Sequence, residues 1–154
     1  MCKLKGAIVA AAIVLCSTVI GSASTYQRTG QDSDPAVQQV LDDYIGLYRV
    51  DTLERWKTLF LPGFVASYTN DDGSVTTRTL DAFYERQRTT FAAGPVAETL
   101  SNVRVNRVGR LAQVFADFRF TSRGVTRPGQ LMLLMLEDKG QMKIAALIFT
   151  YHLQ

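Results

Sequence analysis

Cysteine is nearly missing from this chain. It has two, Cys2 and Cys16, both within its first 24 residues. From Thr25 onward there is none, which excludes structural disulfides and thiolate metal sites in the remainder. Histidine is as scarce: His152 is the only one. A single histidine without cysteine excludes the usual zinc sets, and Asp71-Asp72 lacks the spaced oxygen ligands of a calcium loop. No metal and no cofactor is expected. A glycine-rich phosphate loop, a nucleophile-elbow serine, internal repeats and low-complexity tracts are all lacking. Charge is modest too, with a formal net of +3, so a nucleic-acid-binding tail is not expected.

What is present starts with a distinct head. Lys3 and Lys5 precede an uncharged, apolar stretch from Gly6, followed by Gly21, Ser22, Ala23 and Ser24. A basic start, an apolar middle and a small-residue exit make a secretory signal over residues 1–24, with cleavage after Ala23 or Ser24. The 18 residues from Gly6 to Ala23 leave a retained membrane anchor as the alternative. Leu15 before Cys16 argues against a lipoprotein site. The expected location is secreted or periplasmic, with membrane contact only through an uncleaved signal. Residues 25–33 read as a polar linker and residues 34–154 as one domain. Without Lys3 and Lys5 the net charge is +1. Arg104, Arg107, Arg110, Arg119, Arg123 and Arg127 cluster against Asp117 alone. They form either a solvated sheet face or, if several share a face, a patch for an anionic ligand.

Periodicity places the elements. Asp34-Pro35 starts a helix carrying Val37, Val40, Leu41, Tyr44, Leu47 and Tyr48 on one stripe. A short second helix is expected from an Asp51 cap with Glu54 as its box partner, ending at Pro62-Gly63. A hairpin follows, Phe64 to Tyr68 and Ser74 to Arg78. Thr79 caps a third helix bearing Leu80, Phe83, Tyr84, Gln87 and Phe91. Four strands complete the chain: Val96 to Arg107, Leu111 to Ser122, Gln130 to Leu136 and Met142 to Leu153. The continuously apolar Leu131 to Leu136 predicts a central strand covered on both faces. Three helices and a curved antiparallel sheet wrapped around them predict an α+β cone with a cavity between the layers.

The order of these segments resembles the nuclear transport factor 2-like (SnoaL-like) superfamily. The resemblance runs from Asp34 to His152. It is carried by Tyr44-Ile45-Gly46-Leu47-Tyr48, Asp51-Thr52-Leu53-Glu54-Arg55-Trp56, Leu59-Phe60, Val65-Ala66-Ser67-Tyr68, Leu80-Asp81-Ala82-Phe83-Tyr84, Val114 to Phe120 and Lys143 to Phe149. It implies a cone-shaped domain, a homodimer through the sheet, and either isomerase, dehydratase or cyclase chemistry or a non-catalytic binding or dimerisation role. Ketosteroid isomerases use a carboxylate base, a tyrosine and a protonated aspartic acid. Aligned on the second helix, the tyrosine falls on Tyr44, the base on Tyr68 and the second acid near Met132. With two of three parts missing, steroid isomerisation is not expected.

The candidate pocket lining is Tyr44, Tyr48, Trp56, Phe60, Tyr68, Tyr84, Phe118 and Phe120, an aromatic set with polar tips suited to a small apolar or amphipathic molecule. His152 with an acidic partner, Asp117 or Asp81, is the candidate catalytic pair; the alternative is a surface or interface histidine. Three functions follow: a small-molecule binder, an enzyme using His152 or a pocket tyrosine, and an interaction domain.

Overall fold

The Asp34 carboxylate accepts from the Ala36 and Val37 amides at 3.0 and 3.1 Å. Pro35 fills the first helical position, where a missing amide loses no bond. The helix that follows, α1 (Pro35–Gly46), buries Val37, Val40, Leu41, Tyr44 and Ile45. The structure is a computed structural model describing residues 34–152. The expected signal over residues 1–24, the expected linker over 25–33 and Leu153 at the end of the expected last strand lie outside the described residues. No described helix is long and apolar enough to cross a membrane.

The second helix, α2 (Leu53–Lys57), begins without the expected box. Thr52 occupies the cap position, and its hydroxyl donates to the Leu47 carbonyl at 2.9 Å instead. Asp51 pairs with Arg49, and Glu54 accepts from the Tyr84 hydroxyl, so both acids are engaged elsewhere. Pro62-Gly63 does not end this helix. It lies inside β1 (Phe60–Thr69), where the pairing register shifts between Phe60 and Val65. Proline is tolerated there because the ladder is already interrupted.

β2 (Val75–Thr79) returns along β1, and α3 (Leu80–Ala92) crosses the inner face of the sheet. β3 (Val96–Val108), β4 (Leu111–Ser122), β5 (Val125–Asp138) and β6 (Gln141–Tyr151) form a meander. β5 starts at Val125 rather than at the expected Gln130, so Pro128-Gly129 falls within it. The turn needs only Arg123-Gly124, whose φ values of 52° and 76° suit a two-residue hairpin.

The six strands lie in the order β2-β1-β6-β5-β4-β3. The sheet is mixed rather than wholly antiparallel, because β1 and β6 run parallel. After α3 the chain restarts at the far edge and meanders back, so β6 reaches β1 pointing the same way. Register shifts at Ser101/Arg104 and Leu134/Met135 bend the sheet. Asn102, with φ 52°, sits in the first of them.

Helices cover one face only. Leu131, Leu133 and Met135 are buried, whereas Met132 and Leu134 are half-buried and Leu136 is 41% exposed. The apolar run is therefore central in the sheet but not covered on both sides. On the inner face Trp56, Phe60, Phe64 and Phe83 stack edge-on or tilted, with centroids 4.6 to 6.0 Å apart. Arg107 ties the layers together by pairing with Asp34 at 2.6 Å and Glu137 at 2.9 Å.

Candidate functional site

Alternation along β3 puts Val96, Glu98 and Leu100 on the inner face, all buried. Glu98 is thus a carboxyl carried into an apolar layer by its neighbours' burial. α1 brings Tyr44 over it, and the Tyr44 hydroxyl donates to Glu98 Oε1 at 3.5 Å. Trp56 Nε1 donates to the Tyr44 carbonyl at 3.0 Å, fixing the helix backbone at this point. Just beyond the end of α1, the Tyr48 hydroxyl donates to Oε1 of Gln87 on α3 at 2.5 Å.

These groups line a cavity of about 80 Å³ whose walls include Phe118, Leu131, Leu147 and Phe149. A single water needs roughly 10–15 Å³ by the same kind of measure, so there is room for a small molecule or several waters. Phe149 stacks on Tyr68 with centroids 4.9 Å apart, and Tyr68 accepts from Arg78 Nε at 2.9 Å. An open groove of about 800 Å³ adjoins the cavity. Arg86, Thr90, Phe120 and Tyr151 border both spaces, so the groove leads into the cavity.

Burial governs the electrostatics. It raises the Glu98 carboxyl to about 7, the Tyr44 hydrogen bond offsetting only part of the rise. Burial, reinforced by the Glu98 charge, pushes the Tyr44 and Tyr48 phenols well above their ordinary range and Tyr151 to about 12. The phenols stay protonated as donors, while Glu98 is poised to hold or release a proton near neutrality.

Of the residues singled out in the sequence, Tyr44, Tyr48, Trp56, Tyr68, Phe118 and Phe120 line the cavity. Phe60 and Tyr84 do not. Phe60 is packed between Trp56 and Phe64, and Tyr84 turns to Glu54 at 2.5 Å. The proposed pair of Asp117 and His152 stands away from the cavity. Asp117 faces outward on β4, where the Asn102 amide at 2.6 Å and Gln130 amide at 3.2 Å hold its carboxyl below the usual range. His152 is exposed just beyond β6, its amide donating to the Pro128 carbonyl at 3.0 Å. Asp81 is paired with Lys57 at 2.8 Å. Met132, the aligned second-acid position, faces outward, and Leu131 takes the inner place.

Glu98, Gln87, Arg86 and Tyr151 were not among the candidates. Glu98 left a signal: a lone charge at the middle of the alternating set Val96, Glu98, Leu100. The others become neighbours only through the tertiary fold. Among the described residues no three His, Cys, Asp or Glu side chains are grouped to hold a metal.

No protein-family model matches the sequence, and no curated protein does. Solved structures match its shape. A candidate dehydratase of the nuclear transport factor 2-like family from Streptomyces avermitilis superposes with a TM-score of 0.63 at 15% identity, over 77% of this chain and 95% of that one. This is the nuclear transport factor 2-like fold. A nuclear transport factor 2-like protein of unknown function from Shewanella baltica gives 0.61 at 13% identity, over 77% and 93% of the two chains. A candidate scytalone dehydratase from Novosphingobium aromaticivorans gives 0.63 at 17%, over 77% and 83%. At these identities the likeness carries the nuclear transport factor 2-like architecture and no activity.

Proposed function

We propose that this domain takes a small, largely apolar molecule bearing one oxygen function into its cone, where Glu98 is the polar contact. The observation that carries this reading is a buried carboxyl, titrating near 7, set in an aromatic cavity beside Tyr44. Aromatic walls favour the apolar body, and a carboxyl that is partly protonated at neutral pH can donate to an oxygen or accept from a hydroxyl. The same carboxyl supports the catalytic form of the reading. Glu98, rather than His152, would move a proton in an isomerisation or dehydration, with Tyr44 polarising the oxygen. Two of the similar structures are described as dehydratases, which agrees with that form without deciding it.

Trp56 tests the reading, because it lines the cavity and is the only tryptophan. Titration with 4-phenylbutan-1-ol is expected to change its fluorescence saturably, and Glu98→Gln is expected to weaken that response. A linear, unsaturated response identical in both proteins would refute the proposal.

A second reading concerns assembly. Leu111, Phe115, Leu136 and Ile148 are 41 to 45% exposed on the outer face. Strand pairing joins them through Met132 and Leu134 into one apolar strip. We propose that two copies bury this strip against each other, the two-fold arrangement being the commonest for a self-complementary face.

A further inference from the structure

Four arginines from three places in the chain meet at the groove that leads into the cavity. Arg78 comes from β2, Arg86 from α3, and Arg123 and Arg127 from the β4–β5 hairpin. Only the last two belong to the arginine-rich segment seen in the sequence. Arg107 is spent on Asp34 and Glu137, Arg110 on the Glu137 carbonyl, and Arg104 lies over Phe115 on the outer face. The single acid in the groove lining, Glu85, is paired with Arg88 at 3.1 Å.

The four differ in how far they are committed. Arg78 donates to Tyr68, and Arg127 pairs with Asp71 while lying 4.2 Å from the Tyr151 ring centroid. Arg86 stands 5.7 Å from the Tyr68 centroid and pairs with no described carboxylate; Arg123 likewise pairs with none. Two guanidinium groups therefore face the groove with their fork of donors available, a geometry suited to an oxyanion.

We infer that the groove binds the anionic head of an amphipathic carboxylate, sulfonate or phosphate whose apolar body occupies the cavity. The inference rests on the cavity reading above and names its substrate class. Orientation follows from the charges. Glu98 repels an anion from the buried end, whereas Arg86 and Arg123 attract it at the mouth, so the head stays outward. A neutral alcohol of the same body offers the arginines no charge, and its hydroxyl turns to Glu98 instead, as in the cavity reading.

The test compares 4-phenylbutyrate with 4-phenylbutan-1-ol by calorimetry at neutral pH and low ionic strength, where exposed arginines are least screened. Wild type is expected to bind the carboxylate about fivefold more tightly, as fits two exposed pairings of modest strength. In the Arg86→Gln, Arg123→Gln double variant the preference for the carboxylate over the alcohol should vanish. Equal affinities in wild type, or a preference the double variant keeps, would overturn the groove assignment and leave the cavity reading standing. Binding of neither compound would overturn both.

Discussion

The Tyr44 hydroxyl reaches the Glu98 carboxyl across 3.5 Å, joining the first helix to the third strand inside the cone. Its consequence is thermodynamic as well as chemical. A carboxyl raised from 4.5 to about 7 binds its proton more tightly folded than unfolded. Its contribution to stability is complete below the unfolded value and is lost as pH rises through the folded one. Glu98→Gln removes that loss. Urea unfolding across this range should show wild type falling relative to the variant, by roughly 3 kcal/mol at most for a shift of this size. A parallel course of the two proteins would contradict the buried-acid assignment. Tyr44→Phe should raise the Glu98 midpoint further, since the hydroxyl stabilises the anion.

Gly129 faces Phe118 on β4 and Tyr151 on β6. A Cβ there would meet the Thr150 carbonyl oxygen and the Phe118 ring. The ring lines the cavity, and the carbonyl is main chain of β6. Gly129→Ala is expected to lower unfolding stability by about 2 kcal/mol, as overpacked sites do, and to weaken 4-phenylbutan-1-ol binding. Unchanged stability would mean the strand gives way easily.

Phe115 is 41% exposed and pairs across the sheet with Met132 in the outer apolar strip. Phe115→Glu places a charge at the centre of the face proposed to meet a second copy. Sedimentation velocity should show wild type as a dimer and the variant as a monomer with an unchanged circular dichroism spectrum. A monomeric wild type would end the dimer proposal.

Asp117 and His152 serve as the contrast to Glu98. Both stand away from the cavity, so His152→Ala and Asp117→Asn should leave 4-phenylbutan-1-ol affinity within twofold of wild type, about 0.4 kcal/mol. A tenfold loss in either would move the site to the outer face.

The helices and strands were largely legible in residue spacing, and the aromatic lining with them. Tyr44 lies on the buried stripe of α1, and Phe118 and Phe120 on one strand face. The helix ends at Gly46, however, and Tyr48 follows it as a buried residue outside the helix. The misplacements have local causes. In β6, Ile144 pairs with Met135 and Ala146 with Leu134, leaving Ala145 as an extra residue that shifts the alternation. A strict period of two from Ile144 therefore puts His152 with the inner set, while the bulge sends it outward. Tyr84 lay on the correct stripe of α3, but Glu54 drew its hydroxyl to the helix–helix seam. Arg86 was invisible as a site residue because Phe120, Arg123 and Tyr151, its neighbours at the mouth, come from parts of the chain more than thirty positions away. Glu98 was visible as a charge amid an apolar alternation, and only its burial shows what that irregularity does.

A pH titration of the Glu98 side-chain carboxyl by carbon-13 NMR, with and without 4-phenylbutan-1-ol, tests the central claim most directly. A midpoint of about 7 that moves when the alcohol binds, while the Asp117 carboxyl titrates unchanged, is the predicted result. A Glu98 midpoint at the ordinary carboxylate value of about 4.5, indifferent to the alcohol, would contradict it.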